Sequence, residues 1–261
     1  MKHALSLRWL EDIYQRHNKR SLAYPDPIVF LYEYPNPEDR EIAALLAASL
    51  AYGRVAQILK SVDKILSAMG PSPAAYLVNA TSAEIAEPLA DFKHRFTTGK
   101  DVARLLTAAK NILLEFGSLE KCFLRGFKHD DIDILPALAD LAEKLDSAET
   151  DNRAFPLFPS PKNGGACKRP MLFLRWLVRS DDVDPGGWTQ IPPAKLIVPL
   201  DTHMRKIATT LGLLSRKTPD LKAAKETTAA FAEFNPNDPV KYDFALTRFG
   251  IRNDMDPADL R

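Results

Sequence analysis

The stretch PLDTHMRKIATTLGLLSRKTP, residues 199–219, indicates the fold more clearly than any other part of the chain. Its apolar side chains return every three or four residues, as they do on a helix that packs by one face. They are Met204, Ile207, Ala208 and Leu211. Asp201 directly precedes them, and an aspartate in that position caps a helix by accepting a backbone N–H hydrogen bond. The stretch therefore predicts a capped amphipathic helix over about 202–212.

The same helical spacing recurs along the rest of the chain. Its best examples, 55–69 and 102–116, are followed by Gly70 and Gly117, and glycine commonly ends a helix. No long run alternates with a period of two, so the predicted fold is all-α. Further helices are predicted at about 6–18, 133–147, 170–180, 219–234 and 239–249. Another is predicted to begin with a cap at Asn36 and a first-turn proline at Pro37 and to continue through 42–50.

Two long segments, 149–167 and 181–193, lack any helical period and are rich in proline and glycine. Irregular segments of this length are usually functional or disordered. We therefore expect them to shape a binding site.

Composition limits the classes of protein that the chain can belong to. Hydrophobic residues make up 46% of the 261 residues, which excludes a disordered or collagen-like chain. No apolar run is long enough for a membrane span, and the N-terminal residues lack the apolar core of a secretion signal. Cys122 and Cys167 are the only cysteines, too few for a disulfide framework. We expect a cytoplasmic protein without a membrane anchor.

Charge is balanced overall but unevenly distributed. The whole chain carries a net charge of +1, whereas 162–217 holds ten basic and four acidic residues. Such a contrast suggests a face that meets a polyanion, with a solvated helical surface as the alternative.

Besides the stretch around Asp201, we expect chemistry at the segment from Gly164 to Lys168. Gly164 and Gly165 let a backbone approach a ligand closely, and a helix that begins near Lys168 points free N–H groups at an anion. A lysine at the start of a helix opposes the helix dipole, which suggests a separate reason for its presence. For Asp201, the sequence leaves open whether it is only a cap or also a reactive carboxylate.

Residues 199–219 resemble the V-D-T-H-V-x-R-V-x-x-R-L-G-L segment of the helix-hairpin-helix (HhH-GPD) base-excision DNA glycosylases. Gly164 to Lys168 is similar to the family's L-P-G-x-G-x-K-T-A hairpin, with Ala166 at the second glycine position. The stretches 45–58 and 236–250 resemble its early and closing helices. The 33-residue step from Lys168 to Asp201 is similar to that of archaeal 8-oxoguanine glycosylases and of a bacterial family of unassigned function. The four-cysteine cluster of many relatives is absent from the sequence.

The resemblance implies two helical lobes with a cleft, 37–196 and 1–36 plus 197–261. It implies a monomer, associated with the nucleoid, that removes an oxidised purine such as 8-oxoguanine from damaged duplex DNA without a metal or cofactor. Lys168 would attack the sugar to form a Schiff base, and Asp201 would stay ionised beside it.

The resemblance also implies which other residues contact DNA. They are Gly164, Gly165, Arg169, His203 and Arg205, with Tyr52 and Arg54 where the family inserts a side chain into the duplex. A flipped base would stack on Trp188 or Phe155. Trp188 could equally be a core residue that covers the insert, and Tyr52 could simply pack at a helix end.

Two other functions remain open at this point. Ala166 at a glycine position favours a DNA-binding protein that has lost base excision. His129-Asp130, with His94 upstream, resembles the motif of metal-dependent HD phosphohydrolases, although the same residues suit a polar loop before a helix.

Overall fold

A computed structural model describes residues 5–146 and 156–252, together with Met255 and Leu260. Helices dominate this part of the chain, which confirms the all-α prediction. Its α-helices are α1 (Leu7–His17), α2 (Pro37–Ser49), α3 (Val55–Met69), α4 (Pro73–Asn79), α5 (Ser82–Ala86), α6 (Gly99–Phe116), α7 (Leu119–Gly126), α8 (Leu135–Asp146), α9 (Lys168–Val178), α10 (Thr202–Thr210), α11 (Leu221–Ala232) and α12 (Asp243–Ile251). An antiparallel hairpin is formed by β1 (Lys93–His94) and β2 (Thr97–Thr98). Across the described ranges, every helix is too short or too polar to cross a bilayer.

The helices predicted from apolar spacing are all present, with small differences at their ends. α2 begins at Pro37, as predicted, because Asn36 accepts a hydrogen bond from the N–H of Glu38 (3.0 Å) and Pro37 fills the first helical position. The sequence did not predict α4, α5, α7 or the hairpin. These elements are short, so they show too few turns for a period to be recognised.

The chain divides into two compact units. The first comprises Met1–Ala23, Ile132–Ile134 and Pro161–Arg261, and the second comprises Tyr24–Asp131 and Leu135–Ser160. Segment 161–196, which the resemblance assigned to the central lobe, belongs to the unit that holds both termini. The reason is that Arg175 of α9 pairs with Asp243, the first residue of α12. Arg179, which directly follows α9, likewise pairs with Asp238, which precedes α12.

In the second unit, α6 is the central helix and packs against α4, α5, α7 and α8. The Thr98 side chain caps it by accepting from the N–H of Asp101, and Gly117 ends it in the left-handed conformation. Buried Glu41 on α2 accepts from the N–H groups of Leu119 and Glu120 at 2.8 and 3.0 Å, which fixes the start of α7.

In the first unit, α12 packs against both α1 and α10, and α9 is buried at every position from Arg169 to Val178. The chain after α9 folds back over its last turn. There the N–H groups of Gly186 and Trp188 donate to the carbonyls of Trp176 and Leu177 at 3.0 and 2.8 Å. These bonds satisfy carbonyls that a helix end otherwise leaves without partners.

Candidate functional site

Lys168 and Asp201 lie together in the first unit. Lys168 is the first residue of α9, Asp201 is the cap of α10, and Lys168 Nζ is 3.4 Å from Asp201 Oδ2. The lysine side chain is 33% exposed and the aspartate side chain 16%. The pair is therefore close enough for joint chemistry and open enough for a ligand to reach the amine.

The two oxygens of Asp201 have different partners. Oδ1 accepts a hydrogen bond from the N–H of Met204 at 2.8 Å, so the predicted helix cap is present. Oδ2 faces Lys168. The cap holds the carboxylate in place, because a side chain bonded to its own helix cannot rotate away from the amine.

The segment before Lys168 turns sharply and then starts α9. Gly164 and Cys167 adopt left-handed backbone conformations, with φ of 72° and 48°, whereas Ala166 does not. Alanine at the second glycine position therefore causes no backbone strain, and the alternative of a DNA-binding protein without base excision stays open. A side chain added at Gly164 or Gly165 would meet no atom within 4 Å, so this backbone is open to a ligand.

The same segment is tied to the start of α11. Leu221 N–H donates to the carbonyl of Gly164 at 3.0 Å, and Gly165 forms an isolated bridge with Asp220. Burial raises the pKa of the Cys167 thiol to about 11, which makes it a poor nucleophile beside Lys168.

Not all of the basic side chains in 162–217 are exposed at the surface. Arg169, Arg175 and Arg179 are buried, so they cannot form part of a polyanion-binding face. The DNA contact predicted for Arg169 is therefore contradicted by its burial. His203 is half-buried against Gly250, and half-buried Arg205 donates to the carbonyl of Lys217 at 3.0 Å.

Of the two residues predicted to stack on a base, the structure describes Trp188. Trp188 is 1% exposed and packs edge-on against Phe173, with ring centroids 5.4 Å apart. A ring buried in this way cannot stack on a base, so Trp188 is the core residue that the sequence also allowed. Phe155 lies outside the described residues.

In the second unit, Tyr52 is hydrogen-bonded to the hairpin and is not an exposed side chain that could enter a DNA duplex. Its hydroxyl donates to the carbonyl of His94 at 2.9 Å and is 2.5 Å from Thr97 Oγ1. Arg54, two residues further on, is exposed. The prediction of a DNA contact thus stands for Arg54, whereas the structure gives Tyr52 a packing role.

The turn of this hairpin presents an exposed aromatic side chain that the sequence did not single out. Phe96 is 70% exposed, and the guanidinium of Arg95 lies over its ring, 5.3 Å from the centroid. Arg95 has a φ of 53°, which is uncommon for a residue with a side chain. Exposed Lys93 and Lys100 flank the turn. The run K-H-R-F, in which basic and aromatic residues alternate, was the available signal.

The histidine that an HD phosphohydrolase would need is already engaged. His94 is fully buried, with Nδ1 2.9 Å from Ser61 Oγ and Nε2 3.0 Å from the carbonyl of Tyr52. Burial lowers the pKa of His94, which keeps it neutral. Within the part of the chain that the structure describes, no three metal-ligating side chains come together. This alternative is therefore not supported.

The chain is an all-α protein with a lysine–aspartate pair at two helix starts. It belongs to the family described as "Protein of unknown function (DUF2400)", whose model matches residues 26–252. Comparison with curated proteins and with solved structures gave no match.

Proposed function

We propose that the protein is a DNA glycosylase with AP-lyase activity, which removes a damaged base through a Schiff base on Lys168. The observation that carries this proposal is the 3.4 Å approach of Lys168 Nζ to Asp201 Oδ2. An accessible amine beside a fixed carboxylate is the combination that attack on a sugar carbon requires. An oxidised purine such as 8-oxoguanine is the substrate implied by the sequence resemblance.

The reaction would begin with a nucleotide flipped out of the duplex, since the glycosidic bond is otherwise out of reach. Lys168 gives up a proton, and its Nζ bonds to the sugar C1′ as the C1′–N bond breaks. The bonding electrons leave with the base, which takes up a proton. Asp201 stabilises the positive charge that develops on the sugar. Opening of the ring gives an iminium, and loss of a C2′ proton with departure of the 3′ phosphate cuts the strand.

Two features support contact with nucleic acid. The open backbone at Gly164 and Gly165 precedes the start of α9, where helix N–H groups favour an anion such as a backbone phosphate. In the second unit, Phe96 and Arg95 offer a stacking surface and a cation, with Arg54 also exposed.

Borohydride trapping tests the proposal, because it reduces an iminium to a stable amine that links protein and DNA. We expect the wild type to form this adduct on duplexes that carry 8-oxoguanine or an abasic site. Lys168→Ala should form none. Lys206→Ala, which removes an exposed lysine of α10, is the matched control and should behave like the wild type. Tight DNA binding without adduct or released base would instead identify a non-catalytic DNA-binding protein.

A further inference from the structure

One face of α9 carries a row of cations that are all paired with aspartates. Arg175 and Arg179 follow Lys168 by seven and eleven positions, close to two and three helical turns, so the three side chains share a face. Lys168 pairs with Asp201, Arg175 with Asp184 and Asp243, and Arg179 with Asp181, Asp184 and Asp238. The reactive pair is thus one end of an ionic row that continues into the core.

Asp243 is the least satisfied aspartate of this row. It is 3% exposed and its Oδ2 accepts from Arg175, while its Oδ1 is buried without a hydrogen-bond partner among the described residues. Oδ2 neutralises the buried guanidinium of Arg175, whereas Oδ1 has no such structural task and, as a buried oxygen without a donor, costs folding free energy. Asp243 is the first residue of α12, which packs against the helix that Asp201 caps.

The charged groups around Asp243 come from several elements. They are Arg175 on α9, Asp184 in the following loop and Asp201 at the start of α10. From α1, Glu11 is occupied by Lys241 and Tyr242.

We infer that Asp243 is a positioning residue for the Lys168–Asp201 pair, whose buried carboxylate supplies a second negative charge near the site where positive charge develops. This inference rests on the proposed function. Asp243 does not touch DNA. It acts through its field and through Arg175, and its ionised form is the active one.

The ionisation of Asp243 gives the inference a measurable signature. Burial raises the pKa of Asp243 to about 6, with the charges of Asp201 and Asp184 adding to the rise and Arg175 opposing it. The carboxyl is therefore mostly neutral below this pH and mostly ionised above it.

The test measures the rate of trapping against pH, from about 5 to 8, on a duplex with an abasic site. Cyanoborohydride replaces borohydride here because it survives at pH 5 and still reduces an iminium. Ionisation of Asp243 should add a dependence of the rate on pH that is confined to the range below about 6. The plot of log rate against pH should therefore be steeper below pH 6 than above it. Asp243→Asn, which can still accept from Arg175, should lose this break and react roughly tenfold more slowly near neutral pH.

Asp238→Asn is the matched control, since it alters an aspartate bonded to Arg179, one turn further from Lys168. It should keep the break. A wild-type profile without a break, or an unchanged break in Asp243→Asn, overturns the inference and leaves the proposed function standing. If Asp243→Asn does not fold, carboxyl-carbon NMR of the wild type measures the pKa of Asp243 directly, and a value away from the pH of the break overturns the inference. A wild type that forms no adduct at any pH instead overturns the proposed function, and the inference with it.

Discussion

At the scale of single residues, Asp201 separates a structural role from a chemical one, because each of its oxygens has its own partner. The substitution Asp201→Asn would keep a side-chain oxygen for the N–H of Met204 but remove the charge that faces Lys168. Asparagine caps a helix about as well as aspartate. For this variant we expect a nearly unchanged melting temperature, intact or tighter DNA binding, and trapping reduced by about 10²-fold or more. A variant that melts normally and keeps full activity would leave Asp201 as a cap alone.

The raised pKa of Asp243 also predicts how the free energy of unfolding changes with pH. Its folded-state pKa of about 6 lies above the ordinary value of 3.8, so between these values the folded protein binds a proton that the unfolded chain releases. The contribution of this group to stability is therefore present at low pH and falls as pH rises through 6. Relative to the wild type, Asp243→Asn should gain stability on going from about pH 4 to pH 7, by on the order of 2 kcal/mol. Thermal melts of both proteins across this range measure it, and a constant difference would contradict it.

At the scale of elements, the hairpin of β1 and β2 is fixed by hydrogen bonds at its base and carries an exposed aromatic side chain at its turn. Tyr52 and His94 fix its base, and Phe96 stands at its turn. Phe96→Ala should leave the melting temperature unchanged, because the ring is mostly exposed. It should weaken binding to a duplex with a tetrahydrofuran abasic analogue by roughly 1 kcal/mol or more.

Fluorescence anisotropy measures this affinity without any reaction at Lys168. Phe96→Trp should restore binding, since the indole also stacks. Leu114→Ala, which removes another exposed apolar side chain of the same unit, should have no effect. An equal loss of affinity in Leu114→Ala, or no loss in Phe96→Ala, would show that the hairpin turn does not bind DNA.

At the scale of the whole molecule, the sequence predicted the features that depend on residues close to one another in the chain. Apolar spacing and caps located α3, α6 and α10, and the glycine segment and the aspartate pointed to the pair that the structure brings together. The sequence could not predict which residues that are distant in the chain become partners in the folded protein. Arg175 lies 68 positions from Asp243, so a charge count cannot tell that it is buried. For the same reason, Trp188 could be expected either on a site or in the core.

The central claim, that Lys168 is the nucleophile, is tested most directly by locating the linkage. Wild-type protein is incubated with abasic duplex and borohydride, the adduct is digested, and the modified peptide is sequenced by mass spectrometry. We predict a reduced sugar fragment on Nζ of Lys168. A fragment carried only by the N-terminal amine or by another lysine, or no adduct under conditions in which the DNA is bound, would contradict the claim.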